Sequence, residues 1–564
     1  AFVATAVSAA TAHIGRTDNP HSVTKSQVGL GNVLDITQAP ATHVGMGGET
    51  QHALATAVDA GFIDPDDYVA VRDFKDSFLP VKKFATGTIG SGQDATAAFQ
   101  AAADEAASNG RGIIWAGTGA YPISQFTISS SNTILMGVGQ GNTRIQPQST
   151  TLDAIVFGDS VTKLQNCGMT GCTVYGGMAD PTSGALVKVY WSDYFSMWNN
   201  SIANGFRALE LESVIHSNFW GNFLVGGTNF TSLKTNSALL WVDAKDDWTM
   251  PSELHFWGND FRGIGGGLTY LDACVHVKRL DGLNLTGGHI GFARTGVKLA
   301  PAHDAATLVG FISTDSYFDT CVNYGLWAVE PSSSYAGSFS GHYIGASRSY
   351  NCGVAIGWNC GGSGTGPSII RAGHLRESKS QGINIYKGSH IQIIDPYIYG
   401  CNSNNNSSPG IDIGGGGASY VEVINPTVRQ GPSAYAPYAG VYARNSASNV
   451  TIRGGNFDGC TTDILLGSSA TNVRTLGQYT TSKTITYVAS AATVTLPTTD
   501  VFMLSGTTGV TAIAGQMWDG RLVTFVTPNG AVTFTAGATI GNTFTTTQNK
   551  PVNGFCAGGK LYLS

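Results

Sequence analysis

The chain has 564 residues, 42% of them hydrophobic but only 12% charged, about half the usual charged share of roughly 25%. Its 31 basic and 37 acidic residues give a net charge of −6 with no basic stripe, which argues against a nucleic-acid partner. No apolar run approaches the roughly 18 residues of a membrane helix, and 74 glycines alongside this apolar content describe a turn-rich all-β protein rather than a disordered one.

Residues 1–68 form a distinct first segment, short of the apolar residues needed for a core of its own. The stretch Asn19-Pro20-His21-Ser22-Val23-Thr24-Lys25-Ser26-Gln27-Val28-Gly29-Leu30-Gly31-Asn32-Val33 resembles a short repeat of bacteriophage tail fibres. That resemblance implies a slender trimeric shaft or an adaptor to a phage tail or baseplate protein. The chain opens on Ala1 without an initiator Met, so further residues are expected to precede it.

Residues 69–150 read as a cap and first rungs. A helix is predicted over Ala95 to Ser108, with Asp94 at its N-terminus, Gly110 at its end, and Phe99, Ala102, Ala103 and Ala106 on its apolar face. Strands follow at Gly112-Ile113-Ile114-Trp115 and Tyr121-Pro122-Ile123. This order resembles the start of the pectate-lyase-like β-helices of phage tailspikes, where the helix covers the open end of the solenoid. A cap is physically required there, because an uncovered rung exposes unpaired backbone and apolar surface.

Residues 151–475 carry the repeat. Gly296, Gly325, Gly353, Gly382, Gly410 and Gly440 are separated by 29, 28, 29, 28 and 30 residues. Each precedes an apolar–variable–apolar triplet, from Val297-Lys298-Leu299 to Val441-Tyr442-Ala443. Earlier triplets start at Val187, Leu209, Leu240 and Val275, and a later one at Ile464, which makes about eleven rungs. Short alternating strands at a fixed period predict a parallel β-helix, and the resemblance to tailspikes implies a right-handed one.

Aligning rungs on their glycines brings distant side chains together. Counting back from Gly325, Gly353 and Gly382, the eighth position holds Tyr317, Gly345 and His374, and the sixth holds Asp319, Ser347 and Arg376. The fifth holds Thr320, Arg348 and Glu377, with Asp315 and His342 nearby. Asp319 and Glu377, two rungs apart, would stand roughly 9–10 Å from one another, near the upper end for inverting glycoside hydrolysis. The Arg and His residues alternatively suit a lyase acting on a uronate, or the whole set is an outward ion-pair network. A second constellation holds Glu210 and Glu212, then Trp241 and Asp243, then His276 and Lys278 on successive rungs. Glu212 and Asp243 would lie about 5 Å apart, the retaining distance. Trp198, Trp220 and Trp257 form a third column, either a sugar-stacking platform or a subunit interface. A parallel column of Asn200, Asn222 and Asn259 reads as a structural ladder at a turn, and Asp260, directly after that corner, is a third acidic candidate for catalysis.

Residues 476–564 alternate simply between turns and predict a C-terminal β-sandwich. The resemblance to tailspikes implies that a domain in this place trimerises the chain or binds sugar. The nine cysteines lack metal-ligand spacing and read as buried free thiols; no metal or other cofactor is expected. Taken together, the chain resembles a bacteriophage tailspike. That implies a virion-borne homotrimer that binds and depolymerises a capsular or O-antigen polysaccharide, with hydrolysis preferred over elimination. A receptor-binding fibre without catalysis and a cellular pectinase-like enzyme are the other readings.

Overall fold

The computed structural model describes residues 78–84, 93–246, 249–264, 267–361, 364–405, 407–431, 435–476, 486–497, 501–515, 517 and 519–564. The tail-fibre-like stretch of residues 1–68 lies outside the described residues. Helix α1 spans Thr96–Ser108 and buries Ala98, Phe99, Ala102, Ala103 and Ala106. Asp94 accepts from the Thr96 backbone N–H at 2.9 Å, one residue before the position expected of a capping side chain. At the other end Gly110, with φ +68°, lets its own N–H reach Ala107 and the Arg111 N–H reach Ala106. That double bond pattern is the Schellman stop, and it satisfies carbonyls the helix leaves open. Phe99 packs between Tyr121 and Phe126, so the helix seals the first coil.

Beyond the cap, each coil contributes a strand to three parallel sheets. Sheet 1 holds the triplets: Val187, Leu209, Leu240, Val275, Val297 and Leu326 stand in register. Sheet 2 follows, with an inward column of Met169, Met197, Phe219, Phe256 and Leu285. Phe219 and Phe256 stack at 4.3 Å, and each buried ring of this kind stabilises by about 1.5–3 kcal/mol. Sheet 3 has 13 strands, of which Gly119–Ile123 and Thr143–Pro147 precede residue 150, leaving eleven rungs in the predicted span. Sheets 1 and 2 run into one another through strands such as Ile383–Ile394, which pairs in both.

The glycine column exists because of close approach. A Cβ on Gly296 would lie 2.4 Å from the Gly325 carbonyl oxygen, and one on Gly325 would lie 2.6 Å from that of Ala355. A Cβ on Gly382 or Gly410 would lie 3.1 or 3.0 Å from the next glycine's carbonyl oxygen, and closer still to the Ile398 or Val428 side chain. Gly353 is the exception and corrects the alignment. Leu326 pairs with Ile356 rather than Val354, so Ala355 occupies the column and Gly353 sits in the preceding loop. There its own constraint is local, since a Cβ would meet the Val322 and Asn323 carbonyls at 2.4 and 2.3 Å.

The predicted C-terminal sandwich is not confirmed by the strand pairing. Its main sheet has five strands, the first three parallel (Thr486–Ala489, Val501–Ser505, Leu522–Val526) and the last two antiparallel (Pro551–Ala557, Lys560–Leu563). A parallel pair, Thr493–Leu496 with Ala512–Gly515, helps enclose a separate core that includes Val494, Phe502, Phe525 and Leu561. Alternation in the sequence sets which face is buried, but it does not set the direction in which strands pair.

One test follows from the glycine column. Gly325→Ala forces a carbonyl one coil away to shift and is expected to destabilise the chain by about 1–3 kcal/mol, read as a lower unfolding midpoint in denaturant. An unchanged midpoint would contradict the close-approach account.

Candidate functional site

Sheet 3 presents two outward columns. In the first, Asp260, His289, Tyr317 and Arg348 succeed one another by register, and His374 pairs onward with Tyr397. In the second, Arg262, Gly291, Asp319, Tyr350, Arg376, Tyr399, Arg429 and Asp458 do so. Inward-facing Phe261, Ile290, Phe318, Ser349 and Leu375 alternate with these residues and hold their backbone in place.

The columns bring together most of the predicted cluster, with corrections. Asp319 and Arg376 share a column, and Tyr317 shares the other with His374, as counted. The rung between them supplies Tyr350 and Arg348, where the glycine count placed Ser347 and Gly345. Arg348 therefore stands beside Tyr317, not beside Glu377. Glu377 lies just past Arg376 in the left-handed region (φ +53°), and its charge and hydrogen bond push the Tyr350 phenol up. A cleft of about 690 Å³ is lined by Asp315, Tyr317, Arg348, Ser349, Tyr350, His374 and Arg376. His342 does not reach it. Its ring is buried against Phe339 and Trp358, and burial pushes its pKa down to about 3.

Two residues not identified from the sequence complete the site. His289 sits between two carboxylates, with Nε2 3.2 Å from Asp319 Oδ2 and Nδ1 3.5 Å from Asp260 Oδ1. Arg262 forks onto Asp260, its Nε donating to Oδ1 at 2.7 Å and its Nη2 to Oδ2. Burial alone would lower the His289 pKa, but the two carboxylates outweigh it and hold the imidazole above its ordinary value. Burial would likewise raise Asp260, and the His289 and Arg262 contacts outweigh that and hold its carboxyl low. Asp319 also accepts from the Thr320 hydroxyl at 2.7 Å. The spacing carried a signal for His289: it lies 29 residues after Asp260 and 30 before Asp319, one coil in each direction.

The aromatic column lies at the end of sheet 2, one corner before Asp260. Trp198, Trp220 and Trp257 are in register, and the first two stack at 5.1 Å and 7°. Trp220 and Trp257 are 40% and 42% exposed, so this face is open. The neighbouring asparagines form the expected ladder. Asn222 Oδ1 accepts from the Asn200 backbone N–H, Asn259 Oδ1 accepts from that of Asn222, and all three side chains are buried.

The second constellation, on the outward side of sheet 1, is largely covered. Trp241 and His276 are buried, and the Arg207 guanidinium lies 3.7 Å over the Trp241 ring, so Trp241 offers no open platform. Lys188 reaches Glu210 at 3.0 Å and Glu212 at 3.3 Å, while Arg279 holds Asp243 at 2.9 Å. Glu212 and Asp243 stand opposite one another on adjacent rungs, and burial pushes both carboxyls up despite these cations. The cluster binds its charges internally.

No protein-family model and no curated protein sequence matches the chain. Solved structures of similar fold include phage tailspikes. A variant of the tailspike of E. coli bacteriophage HK620 aligns with a TM-score of 0.51 at 12% identity, covering 71% of this chain and 81% of that one. Another, in complex with a hexasaccharide, gives 0.50 at 12% identity over 72% and 81%. The A-module of the Azotobacter vinelandii mannuronan C-5 epimerase AlgE4 aligns at 15% identity over 70% and 99%, with a TM-score of 0.48. What the tailspike shares with this chain at such identity is the parallel β-helix.

His289 gives a pH test. Its raised value means that its stabilising contribution is complete below about 6.5 and is lost as pH rises through the higher folded value. The wild type should therefore lose on the order of 1 °C of melting temperature from pH 6 to pH 8.5 that His289→Gln does not lose. Parallel pH dependence in both proteins would remove the bridge from the account.

Proposed function

We propose that the chain is a phage tailspike that binds and depolymerises a bacterial surface polysaccharide along sheet 3. The observation that carries this reading is the continuous outward track from Trp220 and Trp257, past Asp260, His289 and Asp319, to Arg348, Tyr350, His374, Arg376 and Tyr399. Stacked rungs repeat every 4.8 Å or so, which suits a polymer whose units also repeat. Aromatic faces pack on pyranose rings, and the charged groups between them supply orientation and chemistry. A tailspike of the same fold solved with a hexasaccharide is the precedent.

For the reaction we favour glycoside hydrolysis with Asp319 and Glu377 as the pair, two rungs apart. Asp319, held by His289 and Thr320, takes a proton from water as that water attacks the anomeric carbon. In this scheme Glu377 must take up a proton before each turnover and pass it to the departing glycosidic oxygen, so that water is added across the broken C–O bond. A lyase is the second reading, favoured by Arg348 and Arg376 beside Tyr317 and His374: the cations would stabilise an enolate as a base removes the C5 proton. The C4–O bond then breaks, a C4–C5 double bond forms and the leaving oxygen takes up a proton. Arg348 and His374 then act on substrate in either case. The covered cluster of Glu212 and Asp243 is the third candidate site.

The assembly proposed is a homotrimer carried in the virion, its N-terminal segment joined to a tail or baseplate protein. Leu522, Phe555 and Tyr562 form one exposed row across three adjacent strands of the C-terminal sheet, with Leu522 67% exposed. Such a row suits a contact with other copies. Light scattering should give three times the chain mass for the wild type and one chain mass for Leu522→Asp/Phe555→Asp; an unchanged trimer would exclude this row.

Catalysis is tested on candidate capsules and O-antigens. Asp319→Asn and Glu377→Gln should each lower cleavage about 10²–10⁴-fold while keeping polymer binding. Released oligosaccharides should be heavier than the repeat by one water. Unsaturated fragments would establish the lyase, and a wild type that binds without cleaving would establish a receptor-binding fibre.

A further inference from the structure

Most arginines on the outward faces of the coil are neutralised by a carboxylate on the same or a neighbouring rung. Arg262 holds Asp260, Arg429 holds Asp458, Arg444 holds Asp412 and Arg453 holds Glu422. Arg348 and Arg376 break this pattern. They lie on consecutive rungs of sheet 3, are exposed, and have no carboxylate within 4 Å among the described residues. Both line the same cleft, where Tyr317 precedes Arg348 in its column, and Tyr350 and Tyr399 flank Arg376. The Arg376 guanidinium lies 5.7 Å from the Tyr399 ring centroid, which limits its swing. His374 adds a third group able to carry positive charge.

The acidic groups nearby leave this charge in place. Asp319 is engaged by His289 and Thr320, and Glu377 by the Tyr350 hydroxyl. Asp315 is the one acidic residue among those lining the cleft, against two guanidinium groups in the same lining. A planar guanidinium matches a carboxylate with two parallel hydrogen bonds, a geometry that an ammonium cannot reproduce.

We propose that this cleft is an acidic-sugar subsite, and that the substrate polymer carries a carboxylate on the unit seated between Arg348 and Arg376. Arg348 and Arg376 grip that carboxylate, while Tyr317, Tyr350 and Tyr399 pack on the rings either side. The inference rests on the polysaccharide-binding reading above and narrows it to one substrate class.

The test is a microarray of purified bacterial capsular and O-antigen polysaccharides grouped as neutral, carboxylate-bearing and phosphate-bearing, probed with the full chain and with Arg348→Gln and Arg376→Gln. Both sites are exposed, so the variants should melt like the wild type. Expected hits carry carboxylates, bind each variant at least about 10-fold more weakly, and weaken as salt screens the contact. A neutral polymer bound equally by all three proteins would overturn the acidic subsite and leave the polysaccharide reading standing. Binding confined to phosphate-bearing polymers would overturn the carboxylate assignment. No polymer bound by the wild type would overturn both readings.

Discussion

Parallel stacking of one coil on the next is the constraint on which everything else here depends. Each strand residue has a partner directly above and below, so like side chains are gathered into columns whatever their distance in sequence. Inside, columns such as Phe219 over Phe256 build the core. At the corners the Asn200, Asn222 and Asn259 ladder satisfies backbone donors that no strand can reach. Where backbones approach most closely, the columns consist of glycine.

The same constraint acts on charge. A like-charged column would repel itself every few ångströms, and the molecule answers by setting cations beside its carboxylates. Lys188 lies between Asp153, Glu210 and Glu212, and Arg279 reaches Asp243. These groups are largely withdrawn from water and stabilise one another. Sheet 3 treats charge differently. Its carboxylates are held in fixed orientations by His289, Arg262 and Thr320, while two guanidinium groups are left facing an open cleft. An arrangement with unspent hydrogen-bonding capacity is better suited to a ligand than to the fold.

The sequence was most legible where spacing and apolar alternation act together. The flanking residues of the triplets from Val187 to Ile464 entered sheet 1, and α1 closed with the Gly110 stop. Legibility failed where coil length varied. The coil at Gly353 starts its strand two residues late, so a ruler based on glycine misplaced Arg348 and hid Tyr350. His342 stands near the cluster in sequence, but nearness along the chain does not reveal that its ring is buried against Phe339 and Trp358. Trp241 did face away from the coil axis, but a local pattern cannot reveal that Arg207 covers it. His289 was missed because the count began at Gly325 rather than Gly296, and because it stands seven residues before its glycine where Tyr317 stands eight before its own. Its distances to Asp260 and Asp319 nevertheless each equal one coil. In the C-terminal segment, alternation identified strands without fixing their partners.

The central claim is that the polymer runs along sheet 3. The most direct measurement is a crystal structure of the Glu377→Gln variant with an oligosaccharide of the polymer it binds. The account predicts sugar density along Tyr317, Arg348, His374 and Arg376, with a glycosidic oxygen near residue 377. Sugar seated instead beside Glu212 and Asp243, with the sheet 3 cleft empty, would contradict it.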